Sequence, residues 1–144
     1  MSGPDRDAEA RRWLRYATED LLAAETLHQQ QTPSPRHICW LAQQAAEKSL
    51  KALLVFLQIE FPRTHDLDAL CALVPERWTV RTKHPDLAEL TEWSVEARYP
   101  GEWDDATSHD AREALTQARA VHALASADLA SGGVRLAETN QSNG

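Results

Sequence analysis

Hydrophobic and polar residues recur along most of this chain with a helical period, and one stretch does so without interruption. Residues Pro35 to Glu60 read PRHICWLAQQAAEKSLKALLVFLQIE, with no glycine and no further proline. Placed at about 100° per residue, Ile38, Leu41, Ala42, Ala45, Ala46, Leu50, Leu53, Phe56 and Leu57 fall in one arc about 180° wide. Gln43, Gln44, Glu47, Lys48, Lys51 and Gln58 fill an arc of about 140° opposite, broken only by Leu54. An apolar arc that wide exceeds what one neighbour covers, so this helix is expected at the centre with others packed around it. Ser34 suits the N-cap, and Pro35 suits the first helical position, where its missing N–H goes unused.

The same period predicts the flanking elements. Trp13, Ala17, Leu21, Ala24 and Leu27 or His28 mark a helix over about residues 7–30. The few residues joining it to the central helix make the two antiparallel neighbours. Pro62 breaks the chain, and Thr64-His65-Asp66 reads as a new helix start, giving a short helix over about 67–74. Residues 76–84 read as a loop with Trp78 and Val80 tucked beneath it. Pro85 opens a helix over about 86–97, with Leu87, Leu90, Trp93 and Ala97 on one side. A turn at 99–106 follows, carrying Trp103, Asp104 and Asp105. Ala111, Leu115, Ala118, Val121 or His122, Ala125 and Leu129 then mark a last helix over about 108–130, capped by Thr107 or Ser108. The expected fold class is all-α: an up-and-down bundle of four long helices plus one short helix. It forms one domain over 7–130, followed by a polar, flexible tail over 131–144.

Composition narrows the picture. The chain has 144 residues, enough for one domain with its own core. No segment offers the ~18 uncharged apolar residues of a membrane span. The charged start MSGPDRDAEARRW is unlike a secretory signal, and Cys39 and Cys71 read as buried thiols. These features suggest a cytoplasmic protein. The net charge of −7 argues against indiscriminate binding to a nucleic-acid backbone, while leaving room for a local basic groove. There is no Gly-rich phosphate loop and no HExxH, and the six His are scattered, so neither a metal nor a cofactor is expected.

Several of these residues together resemble a known family. They are Trp13 with Asp20-Leu21, Cys39-Trp40, Gln43-Gln44-Ala45-Ala46-Glu47-Lys48, Lys51-Ala52-Leu53-Leu54, Thr64-His65-Asp66-Leu67 and Arg98-Tyr99-Pro100. This set resembles the HEPN domain (higher eukaryotes and prokaryotes nucleotide-binding) over about residues 9 to 130. The resemblance implies a helical bundle and a homodimer. It also implies a nucleotidyltransferase partner, the two acting as toxin and antitoxin. Active members of the family are metal-independent ribonucleases. Their Arg and His, separated by four to six residues, meet across the dimer in an RNA-cleaving groove.

On this chain Arg98 falls in the expected region, but His109 lies eleven positions later. If the 99–106 turn folds back, His109 would take a proton from a 2′-hydroxyl and Arg98 would steady the phosphorane charge. The alternatives are an exposed helix end for His109, and for Arg98 a pair with Glu102, Asp104 or Asp105. Gln44, Lys48 and Lys51 could line a nucleotide or RNA groove; a solvated face with a Glu47–Lys51 pair explains them equally. Tyr99 could stack on a base or pack on the bundle end. His65 reads as a capping or loop-packing residue rather than a catalyst. Three functions remain open: a ribonuclease acting through Arg98 and His109, a non-catalytic module that binds a nucleotide or a partner, or a purely structural dimer whose wide apolar faces are consumed by self-association.

Overall fold

The computed structural model describes residues 2–30, 34–94, 101 and 104–136. Within them lie six helices: α1 Gly3–His28, α2 Pro35–Phe56, α3 Leu67–Leu73, α4 Thr79–Lys83, α5 Ala88–Glu92 and α6 Ser108–Ser131. The all-helical expectation holds. The count of four long helices and one short differs, because three helices are long and three are short among the described residues.

α2 is the axis of the molecule. α1 and α6 each pack on it far more extensively than on one another. Its alanines at 42, 45, 46 and 52 face neighbours that are themselves rich in alanine, such as Ala17 and Ala24 on α1 and Ala111, Ala118 and Ala125 on α6. Small residues at helix contacts let the axes approach closely. Leu50, Leu53, Leu54 and, from α6, Leu115 and Leu129 fill the space between and are buried. Each such leucine contributes about 1.5–3 kcal/mol relative to an exposed one.

The helix ends are built locally. Ser2 caps α1 by accepting from the Asp5 N–H at 3.2 Å. Ser34 stands at the N-cap of α2 as expected, although its hydroxyl pairs with Nδ1 of His37 at 2.6 Å rather than with the helix backbone. α2 and α6 end alike, with the bond pattern of a Schellman motif. At the end of α2 the N–H of Ile59 reaches the carbonyl of Leu54, and Gln58 sits at φ +56. At the end of α6 the N–H of Val134 reaches the carbonyl of Leu129, and Gly133 sits at φ +94. The second turn returns the chain onto the core, so Val134 is 3% exposed although it belongs to the stretch expected as a tail.

The middle of the chain departs most from expectation. Trp78 and Val80 are tucked under as predicted, but α4 forms where a loop was expected. Its cause is remote in sequence. Asp128 of α6 is buried and accepts from the N–H of Thr79 at 3.0 Å, the Thr79 hydroxyl at 2.7 Å and the N–H of Val80 at 2.9 Å. Those are the free donors of a helix start, and the carboxylate satisfies them from 48 residues away. A helix over 86–97 was expected; residues 95–97 lie outside the described residues, and in the rest α5 spans five. The Thr91 hydroxyl accepts from the N–H of Leu67, and Leu90 is its one buried residue. One apolar anchor and a β-branched residue make a weak helix.

Candidate functional site

The glutamine–lysine strip of α2 has two readings, a ligand groove or a solvated face with a Glu47–Lys51 pair; the pair forms, but the face is not solvated. Instead it is folded into a hydrogen-bonded network with the rest of the chain. Gln43, Glu47 and Lys51 sit four residues apart on one face. Gln43 is 0% and Glu47 6% exposed. Glu47 Oε1 accepts from Gln43 Nε2 at 3.1 Å and lies 2.7 Å from His65 Nδ1, while Oε2 accepts from Lys51 Nζ at 3.0 Å. Gln44 donates to Gln43 Oε1 at 2.7 Å, so the bonds form a polarising chain. The Lys51 ammonium also lies 5.9 Å from the Trp13 ring centroid and 5.6 Å from that of Phe61. One position along, Lys48 Nζ donates to Asp20 of α1 at 2.6 Å.

The electrostatics follow from this geometry. Burial pushes the Glu47 carboxyl up. Hydrogen bonds from Lys51, His65 and Gln43, together with the Lys51 charge, outweigh it and hold the group below its ordinary value. An ionised carboxylate only accepts, so His65 carries its proton on Nδ1. Both oxygens of Glu47 are occupied, which fits the group for holding α2 and the loop before α3 together, while Lys48 ties α2 to α1 through Asp20. Neither lysine is free: Lys48 is neutralised by Asp20 and Lys51 by Glu47, and the Lys51 side chain is only 12% exposed. The Thr64-His65-Asp66-Leu67 stretch divides its work. His65 meets Glu47, Asp66 caps α3 through the Ala69 N–H, and Leu67 is buried in the core.

The second expected site is the corner at the start of α6. Arg98 and Tyr99 lie outside the described residues. His109 is exposed in the first turn of α6. Thr107 and Asp110 form a capping box there, with bonds of 3.1 and 2.9 Å. Beside it opens a cleft of about 220 Å³ between α5 and α6. Glu89, Glu92, Asp104, Asp105, Asp110 and Glu113 line it, with Trp93 against one wall; His109 does not. Among the described residues Glu89, Asp104, Asp105 and Glu113 have no ion-pair partner. The described lining of this cleft is therefore acidic.

Two further groups titrate away from their ordinary values. Burial pushes the Cys71 thiol up to about 12, with Asp68 adding to the effect, so it is a packed, unreactive thiol. Burial holds His122 low, against the opposing pull of Glu25, and its Nε2 lies 2.8 Å from the Thr18 hydroxyl. Among the described residues no group of three or more His, Cys, Asp or Glu is placed to hold a metal. No described helix is long and apolar enough to cross a membrane.

Sequence reasoning undervalued Glu47 and missed Asp128. For Glu47 a signal was present: Leu54 lies seven residues on, hence on the same face, and an apolar residue there marks a covered surface. Asp128 gave none, since its partners lie 48 and 49 residues away.

These features describe an all-helical domain with a long buried axis, a sealed polar network on it and an acidic corner beside the last helix. The chain belongs to the HEPN domain family, whose profile matches residues 10–128. It is similar to the crystal structure of TT1696 from Thermus thermophilus, with a TM-score of 0.68 and 27% identity over 83% of this chain and 98% of that one. No curated protein sequence matches the chain.

Proposed function

We propose that this chain is a partner-binding HEPN module that does not cut RNA. The carboxylate-lined cleft between α5 and α6 supports the reading best. It occupies the corner where His109 would have to meet a phosphodiester, and its carboxylates repel that group. The other surface expected to receive phosphate is closed as well, because Lys48 and Lys51 are held by Asp20 and Glu47. A negative, open cleft with an aromatic wall instead suits a basic segment of a protein.

The family resemblance suggests a nucleotidyltransferase as that protein, and a homodimer as the form that binds it. The test is co-migration of the purified chain with such a nucleotidyltransferase on a sizing column. Native protein is expected to co-migrate, and the variant Asp104→Asn, Asp105→Asn, Glu113→Gln is expected not to. Co-migration of the neutralised variant would remove the cleft from the account. RNA cut by the native chain and spared by His109→Ala would establish the ribonuclease reading in its place.

A further inference from the structure

A groove along α1 shares no residue with either surface described so far. It encloses about 540 Å³ between the first half of α1 and the returning segment at Leu136. Its volume lies within the range of recognition sites. Arg11, Arg12, Arg15 and Glu19 supply its charge, and Leu14 and Leu136 its apolar side. The Thr18 hydroxyl beside them is already engaged, donating to the Leu14 carbonyl at 2.9 Å and lying 2.8 Å from His122 Nε2.

The charges differ in what holds them. Arg12 donates to Glu9 at 2.9 Å. The Arg15 guanidinium lies 5.3 Å from the Tyr16 ring centroid, which restrains it without neutralising it. Arg11, Arg15 and Glu19 have no ion-pair partner among the described residues. They follow one another at four-residue intervals, so the exposed charges run plus, plus, minus with about 6 Å between them along the helix axis. In an extended chain every second side chain points the same way, and such neighbours are about 6.6 Å apart. Over three charges the two spacings drift by only about 1 Å, which long side chains absorb. Carboxylates at alternate positions of an extended segment can therefore meet Arg11 and Arg15, each guanidinium forking onto one. A basic side chain two positions further on meets Glu19.

We infer that this groove docks an extended acidic segment of a partner protein, in the order acidic, apolar, acidic, apolar, basic. Charge complementarity names this occupant: the carboxylates answer Arg11 and Arg15, the basic residue answers Glu19, and the apolar residues between them answer Leu14 and Leu136. A uniform polyanion fits less well. Glu19, in line with the two arginines, repels it, the net charge of −7 opposes a polynucleotide, and the apolar side is left without a counterpart. The inference is independent of the partner cleft, which is built from α5 and α6 and takes a segment of the opposite charge.

The experiment is fluorescence anisotropy of labelled peptides titrated with the full chain. The probe carries the core Glu-Leu-Glu-Leu-Lys. The control has the same composition in the order Glu-Leu-Lys-Leu-Glu, which matches the groove in neither direction. Saturable binding of the probe is expected. It should weaken about tenfold in the control peptide and in Arg11→Ala with Arg15→Ala, as loss of charge-assisted bonds does. Glu19→Lys should reverse a preference, so that a Glu-Leu-Glu-Leu-Glu core binds more tightly than the probe. Asp104→Asn with Asp105→Asn should leave probe binding unchanged, which separates this groove from the cleft. Arg11, Arg15 and Glu19 are exposed, so circular dichroism should show their variants folded and leave binding as the readout. No binding of the probe, equal binding of the control, or binding unchanged in the double arginine variant would overturn the inference. Self-association of the chain alone that disappears in the double arginine variant would overturn it too, by making a second copy the occupant.

Discussion

The α2 strip and the α5–α6 corner are both rich in charge and behave oppositely. In the strip every charge has a partner: Glu47 faces Lys51 and His65, and Lys48 faces Asp20. In the corner several carboxylates share a small cleft, and Glu89, Asp104, Asp105 and Glu113 have no cation among the described residues. A satisfied network holds a fold together, whereas uncompensated charge is available to something outside it. The pairing in the strip depends on what α2 packs against, since Asp20 comes from α1 and His65 from the loop before α3.

The sharpest way to break the contrast is to remove the hub of the strip. Glu47→Ala leaves a largely covered ammonium and a buried amide without their acceptor, and is expected to lower stability by about 3 kcal/mol in denaturant unfolding. Asp128→Ala removes the acceptor of three hydrogen bonds at the start of α4 and should cost about 2 kcal/mol by the same measurement. By contrast, Asp104→Asn with Asp105→Asn relieves repulsion at the exposed corner. It should leave the melting temperature unchanged or slightly raised while abolishing partner binding.

How much of this was readable beforehand follows from the range of each cause. The central role of α2, the cap at Thr107 and the start of α3 at Asp66 all arise within a few residues, and the periodicity carries them. The enclosure of Gln43 and Glu47 depends on α1 and on the loop at His65, so the polar arc looked like an outer face. α4 owes its start to Asp128, and three of its five residues, Thr79, Val80 and Thr82, are poor helix formers. For the candidate site, Arg98 and Tyr99 lie outside the described residues. Gln44, Lys48 and Lys51 turn out to be engaged with their own chain, while the acidity of the corner needed the fold to bring Glu89 and Glu113 to Asp104.

Two smaller effects refine the comparison at the helix ends. A Cβ at Gly132 would lie 2.6 Å from the Phe56 ring, so Gly132→Ala should cost about 1–3 kcal/mol as overpacking. Gln58 holds the left-handed position that glycine fills without strain, so Gln58→Gly should stabilise by up to about 1 kcal/mol.

The network also sets an acid dependence. The folded Glu47 carboxyl titrates below its ordinary value of 4.5. Above that value the group is ionised in folded and unfolded chains alike, and its full stabilisation is present. As pH falls below it the unfolded chain takes up the proton first, and the stabilisation is lost through the lower, folded value. Glu47→Gln should flatten this part of the stability profile, while substitutions at Asp104 and Asp105 should not.

The most direct test of a silent, partner-binding domain is incubation of the native chain with labelled RNA in the presence of a chelator, followed on a denaturing gel. Intact RNA is expected at every protein concentration. Cleavage by the native chain that disappears in His109→Ala would contradict it.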